Sequence, residues 1–156
     1  MQTEQVELPD LADIPDDQAN YLKQDIQYVE GIGPVYGEKL KAAGIATPVE
    51  LLRKGATREG RELIAKATGI TGTLVLKCVN HTDLFRVKGV GSEYADLLEV
   101  AGVDTVVELA QRNAVNLYQK MVETNAAKKL VRQLPSQTQV ENWIEHAKQL
   151  GRVVRY

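Results

Sequence analysis

The sequence contains one motif twice, at positions 58 residues apart. Residues 28–45 read YVEGIGPVYGEKLKAAGI, and residues 86–103 read RVKGVGSEYADLLEVAGV. The two copies align without a gap from Asp25/Asp83 to Ala67/Asn125, and 13 of these 43 pairs are identical. Because the identities cluster at glycines and apolar positions, the repeat predicts a shared backbone course and a shared pattern of core residues.

Each copy predicts a short helix, a tight turn at a Gly-aliphatic-Gly triplet, and then a longer helix. Asp25 and Asp83 are predicted N-caps of short helices over residues 26–29 and 84–87, because a carboxylate accepts hydrogen bonds from the free N–H groups of a first turn. Apolar residues recur at helical spacing after each triplet, which predicts one buried face. Gly44 and Gly102 are predicted to end the longer helices, since glycine readily adopts the left-handed conformation.

Three further features predict helices in each half of the chain. Thr47 and Thr105, each followed by a glutamate three residues later, resemble capping boxes. The next helices are predicted over residues 58–67 and 117–134, and the closing helices begin after Thr71 and Ser136. Aromatic residues make up only 5% of the chain, so the core must consist mainly of aliphatic side chains, which suits packed helices. The predicted fold class is therefore all-α, with two pseudo-equivalent units of about five short helices each.

Charge divides the chain unevenly and predicts its domain organisation. The net charge is −2, but residues 1–30 contain eight acidic side chains and one basic side chain, whereas residues 31–156 contain 18 basic and 13 acidic ones. Residues 1–19 are predicted to be an acidic arm that is extended or disordered. We expect the first unit over residues 20–82 and the second over residues 83–156.

Several classes of protein are disfavoured by what the sequence lacks. It has no run of 18 apolar residues and no export signal at residues 1–7, which predicts a cytoplasmic protein that binds no membrane. A single cysteine, Cys78, and two histidines, His81 and His146, offer no zinc-binding spacing, so we expect no metal and no cofactor. Cys78 is expected to be a buried, inert thiol, and both histidines are expected to meet free carbonyls near helix ends.

Catalysis has no motif to support it. There is no P-loop, and the Gly31-Ile-Gly33 triplet lacks the third glycine and the preceding strand of a dinucleotide fingerprint. No nucleophile and base stand at a recognisable spacing. The sequence therefore predicts a protein that is not an enzyme and has no evident small-molecule substrate.

The two glycine triplets, with their aliphatic flanks and their Ala-Gly-Ile/Val ends, resemble the helix-hairpin-helix motif. The chain from about residue 21 onward is also similar to a bacterial domain family of unknown function built of tandem helix-hairpin-helix repeats. This resemblance implies sequence-independent binding of double-stranded DNA, with two motifs across the minor groove and one phosphate held by each. It leaves the biological process and the oligomeric state open.

Backbone N–H groups that converge at a helix N-terminus form a donor site that favours an anion. The predicted nucleic-acid-binding residues are these donors and the cations near them. The donors are Gly31, Ile32, Gly33 and Val35 in the first hairpin, and Gly89, Val90, Gly91 and Ser92 in the second. The nearby cations are Lys39, Lys41, Arg86 and Lys88, and a predicted helix-borne cluster adds Lys128, Lys129 and Arg132.

Two positions depart from the DNA-binding pattern. Where the DNA-binding proteins often have Lys or Arg, this chain has Val35 and Glu93. A carboxylate near a phosphate costs several kcal/mol at an effective dielectric constant of about 20. The alternative hypothesis is therefore a protein-interaction or scaffold module that keeps the fold without binding nucleic acid. For the DNA-binding hypothesis, the net charge of only +5 on residues 31–156 predicts weak, salt-sensitive affinity.

Removal of residues 1–19 tests the acidic arm. If the arm competes with DNA for the basic surface of the remaining chain, the truncated protein should bind a short duplex more tightly at low salt, because anionic side chains no longer neutralise that surface. Fluorescence anisotropy of a labelled duplex measures the change. Equal affinities of the full and truncated chains would exclude this role for the arm.

Overall fold

The computed structural model describes residues 21–156, so the predicted arm lies outside the described residues. A 3₁₀ helix spans Ile26–Tyr28, and eight α-helices follow between residues 34 and 149. They are α1 (Pro34–Ala42), α2 (Pro48–Gly55), α3 (Arg58–Thr68), α4 (Gly72–Leu84), α5 (Ser92–Val100), α6 (Val106–Ala110), α7 (Ala114–Lys128) and α8 (Gln137–Gln149). The described part of the chain contains no β-strand, and the all-α prediction is confirmed.

Helix packing repeats between the two halves. In the first half α2 packs on α4, α3 on α4, and α1 on α3; in the second half α6 packs on α8, α7 on α8, and α5 on α7. Helix α4 also packs on α5, so the halves are joined directly. Their buried apolar residues form one cluster, from Leu22 to Val154.

The glycine stops have the same geometry in both copies. Gly44 and Gly102 have φ angles of 86° and 101°, in the left-handed region. The N–H of Ile45 donates to the Leu40 carbonyl oxygen and that of Val103 to the Leu98 carbonyl oxygen, both at 2.8 Å. These bonds are those of a Schellman ending, which satisfies carbonyls that the helix leaves free. The predicted ends of α1 and α5 are confirmed.

Side-chain caps begin most of the other helices as predicted. Thr47, Thr71 and Ser136 accept hydrogen bonds from the third residue of α2, α4 and α8, respectively. At Thr105 the threonine hydroxyl makes no cap bond. Instead, Glu108 accepts from the Asp104 N–H at 3.1 Å, as Glu50 accepts from the Ala46 N–H at 3.3 Å. The glutamates of the two copies therefore support the same turn.

Two helix predictions need correction. Asp25 caps the 3₁₀ helix by accepting from the Gln27 N–H, but Asp83 is no N-cap, because α4 continues through it to Leu84. Helix α7 ends at Lys128 rather than near residue 134. Its end is fixed by Asn125, whose side chain accepts from the Val131 N–H at 2.9 Å and donates to the Val131 carbonyl at 3.3 Å.

The segment 151–156 lies along the first half of the chain. Val153 and Val154 are buried, and the Arg155 N–H donates to the Ala56 carbonyl at 2.8 Å. The buried Arg61 guanidinium donates to the Arg155 carbonyl at 2.8 Å and to the carbonyls of residues 55 and 56. These bonds hold the segment against the end of α2, a position that the sequence did not predict.

No helix within residues 21–156 has both the length and the apolar character needed to cross a membrane.

A buried ion pair lies at the junction of the halves. The carboxylate of Asp83 accepts from the Arg86 guanidinium at 2.8 Å and from the Val106 N–H at 2.9 Å, and both charged side chains are almost fully buried. The guanidinium also donates to the Gly151 carbonyl at 2.8 Å. The pair therefore connects α4, α6 and the segment after α8.

Substitution Asp83→Ala should lower the free energy of unfolding by about 3–5 kcal/mol, because it leaves the Arg86 charge buried without its partner. Urea denaturation measures the loss. The matched control is Glu62→Ala, which breaks the exposed pair with Arg58 and should cost less than about 1 kcal/mol. Similar losses in both variants would contradict a central role for the buried pair.

Candidate nucleic-acid interface

The first hairpin is open to solvent. Gly31 and Gly33 are exposed, and a methyl group built on either one would meet no other atom within 4 Å. No side chain caps α1, whose first residue, Pro34, has no N–H to donate. The N–H groups of Val35 and Tyr36 are in the first turn, where a helix supplies no acceptor. This hairpin therefore presents unused donors at a helix N-terminus.

The second hairpin has the same backbone but is partly covered by other parts of the chain. Gly33 and Gly91 precede their helices with nearly equal angles, φ −92° and ψ −169° against φ −96° and ψ −167°. At Gly91, however, an added Cβ would lie only 2.5 Å from the Tyr28 hydroxyl. That hydroxyl accepts a hydrogen bond from the Ser92 N–H at 3.0 Å. The Ser92 N–H, a predicted phosphate donor, is thus already used within the chain.

Helix α8 covers the other side of the second hairpin. A Cβ at Gly89 would lie 3.1 Å from the indole nitrogen of Trp143, which is buried and in contact with Tyr94 at 5.1 Å between ring centroids. The Lys88 N–H donates to Nδ1 of His146 at 2.9 Å. The expectation that His146 meets carbonyls is therefore wrong, because its ring accepts a bond. Burial lowers the pKa of His146, which favours this neutral form.

The predicted cations differ in their availability. Lys39 is exposed on α1, with its ammonium 6.0 Å from the centre of the Tyr36 ring. Lys41 forms an ion pair with Asp25 at 2.7 Å. Arg86 is only 3% exposed and bonded to Asp83, so its charge is inside the protein rather than at the surface. Of the predicted donor residues, Ile32 and Val90 have buried side chains, and their N–H groups already donate to the carbonyls of Val29 and Val87, so neither amide is free for a phosphate.

The cluster Lys128, Lys129 and Arg132 is exposed, but only partly helix-borne. Lys128 is the last residue of α7, and Lys129 follows it in the left-handed conformation with φ 51°. Arg132 lies beyond the helix and lines a cleft of about 540 Å³ beside the second hairpin. Tyr21, Tyr28 and Glu93 line the same cleft. The structure thus brings Arg132 close to the second hairpin.

Tyr28 is the important residue that the sequence analysis missed. Its ring lies between those of Tyr21, stacked at 5.9 Å, and Phe85, tilted at 5.4 Å, and burial raises the pKa of its hydroxyl. The repeat offered one signal, because Tyr28 aligns with Arg86, so the two copies differ in size and charge just before the triplet. Only the fold showed that the tyrosine reaches the other copy.

Residues 30–150 match the model of the family described as domain of unknown function DUF4332. The chain belongs to this family. The matched region contains both hairpins and all of α1 to α8, whereas Tyr21, Tyr28 and the segment 151–156 lie outside it. Comparison with curated proteins and with solved structures gives no match. The DUF4332 description assigns no activity.

Substitution Tyr28→Phe should lower the free energy of unfolding by about 1 kcal/mol, because the Ser92 N–H loses its acceptor while the ring packing stays. The matched control is Tyr21→Phe, which keeps the stacked ring and should have a smaller effect. Thermal and urea unfolding compare the two. An equal loss in both variants would show that the hydroxyl of Tyr28 does not hold the second hairpin.

Proposed function

We propose that this protein is a tandem helix-hairpin-helix module that binds duplex DNA without reading its sequence, and that the first hairpin makes the phosphate contact. The observation that carries the proposal is the exposed N-terminus of α1, where Gly33 supplies no side-chain cap and the amides of Val35 and Tyr36 have no helical acceptor. A phosphate oxygen is a suitable partner for such converging donors, and the helix dipole favours its charge.

The likeness of the two halves supports the helix-hairpin-helix reading. Gly31 and Gly89 have φ angles of 92° and 86°. After each glycine, the next N–H donates to the carbonyl three residues earlier: Ile32 to Val29 at 3.0 Å, and Val90 to Val87 at 3.1 Å. The same turn geometry at two positions 58 residues apart is expected of a duplicated hairpin unit. The non-enzymatic character of the protein is part of the same proposal.

Charge near the first hairpin supports weak binding. Lys39 is exposed on α1, but Glu30 and Glu38 are exposed within the same stretch, and Lys41 is paired with Asp25. The stretch from Asp25 to Lys41 contains three acids and two lysines, a net charge of −1, so the backbone amides have to supply most of the contact. Affinity that depends on few phosphate contacts is low and is lost as salt rises.

The second hairpin has a structural role in this proposal. Its Ser92 amide is bonded to Tyr28, and its glycines contact Tyr28 and Trp143. Glu93, exposed beside them, would repel a phosphate. The Gly-Val-Gly turn is thus used for contacts with Tyr28 of the first half and with Trp143 of α8, and we expect a single hairpin to contact DNA.

Val35 favours a second candidate function, the binding of a protein partner. This side chain is 65% exposed, next to the exposed Pro34, at the tip of the first hairpin. A partner with a small apolar pocket would accept Val35 and use the same amides for backbone hydrogen bonds. The two candidates therefore compete for one surface.

Substitution Val35→Lys separates the candidates, because it changes the two kinds of binding in opposite directions. If the first hairpin contacts phosphate, the new lysine should tighten duplex binding severalfold at about 20 mM salt and steepen the dependence of log Kd on log salt by about one unit. The matched control is Leu63→Lys, which places the same charge at another exposed apolar position, on α3. Anisotropy titrations at several salt concentrations give both quantities.

The wild-type chain must itself bind for the DNA proposal to stand. Absence of binding at micromolar protein in low salt, or equal gains in Val35→Lys and Leu63→Lys, would rule out a phosphate contact at the first hairpin. If a protein partner is recovered instead, and Val35→Lys but not Leu63→Lys abolishes its binding, the second candidate is correct.

A further inference from the structure

Three potential metal ligands meet where α4 packs on α5. They are His81 in the last turn of α4, and Asp96 and Glu99 on α5. Each residue offers one ligand atom, and these three atoms all lie within 4.8 Å of one another. Asp96 and Glu99 are three residues apart, so both carboxylates leave the same face of their helix. The cluster is thus composed of residues that are distant in sequence and adjacent in the fold.

His81 is the decisive member of this cluster. Its side chain is 0% exposed, and neither ring nitrogen has a hydrogen-bond partner among the described residues. The expectation that it meets free carbonyls is therefore wrong. A buried polar atom without a partner is costly, and native proteins rarely contain one without a reason. The lone pair of the imidazole is therefore free for a partner that lies between the ring and the two carboxylates.

The environment favours the neutral imidazole that a metal needs, whereas burial works against the ionised form of the two acids. Burial lowers the pKa of His81 to about 4, and the positive charge of Lys77 acts in the same direction, so the ring is neutral near pH 7. Burial raises the pKa of Asp96 and of Glu99, which means that both carboxylates lack full solvation. Lys77 opposes that shift at both acids. A bound cation would replace the missing solvation more effectively than one shared ammonium group.

The distances are close to those of a metal site. Three ligands bound to one zinc ion at about 2.0–2.2 Å are separated from each other by roughly 3–4 Å. The carboxylates are only half-buried and can rotate about their side-chain bonds, so they can close the remaining distance to the ring. Solvent on their outer side can supply the fourth ligand.

We propose that His81, Asp96 and Glu99 form a binding site for one divalent transition-metal ion, with Zn²⁺ as the best-matched probe. One imidazole nitrogen and two carboxylate oxygens are ligands that zinc accepts, whereas Mg²⁺ and Ca²⁺ favour oxygen alone. The ion joins α4 of the first half to α5 of the second half. The site does not involve either hairpin and is independent of DNA binding.

No sequence pattern indicated this site, because metal-binding motifs are recognised by ligands at short, regular spacing. Here Asp96 lies 15 positions after His81, and a glycine turn lies between them. The expectation of no metal considered only cysteine and histidine. It did not include acidic residues that the fold places beside a histidine.

Titration of the full chain with Zn²⁺ tests the proposal, with isothermal calorimetry for affinity and long-range ¹H–¹⁵N correlation spectra of the imidazoles for the ligand. We expect one saturable equivalent, a rise in Tm with added Zn²⁺, and shifts of the His81 ring nitrogens while those of His146 stay unchanged. His146 is the internal control, since the chain has only two histidines.

Variants of the half-exposed acids avoid the risk that a change at the buried His81 unfolds the protein. Asp96→Asn and Glu99→Gln should each weaken Zn²⁺ binding by at least about tenfold. Glu93→Gln, an exposed acid on the same helix, is the matched control and should bind like the wild type. The proposal is overturned if no saturable binding occurs, if the His146 signals shift instead, or if binding survives both acid variants unchanged.

Discussion

The buried pair of Asp83 and Arg86 is the interaction on which the arrangement of the two halves depends. Neither charge can be buried alone without a large penalty, so each requires the other. The carboxylate also accepts from the Val106 N–H, and the guanidinium also donates to the Gly151 carbonyl. Breaking the pair would therefore disturb α4, the start of α6 and the segment after α8 together.

The first half cannot form the same pair, and this difference makes the two hairpins unequal. The position equivalent to Val106 is Pro48, which has no N–H, and the position equivalent to Arg86 is Tyr28. Asp25 is consequently exposed and bonded to Lys41. Tyr28 instead extends to the second hairpin and accepts from Ser92. One copy of the repeated turn is thereby used for internal packing, and the other is left open at the surface.

Much of the fold was readable from the sequence, because it rests on local backbone chemistry. Gly44 and Gly102 end their helices, and Thr71 and Ser136 begin theirs, since glycine geometry and hydroxyl caps act over a few residues. The failures have a tertiary cause. Asp83 looks like its repeat partner Asp25, but burial beside Arg86 gives it a different role.

The sequence by itself determined that the chain is helical, that it carries a duplicated glycine turn, and where most helices begin and end. Only the tertiary structure decided which of the two turns is covered, because Tyr28 and Trp143 reach the second hairpin from distant parts of the chain. Likewise, only the fold brings His81 next to Asp96 and Glu99. Spacing along a sequence specifies backbone geometry within a few residues, whereas accessibility and ligand clusters depend on which side chains the packed helices bring together.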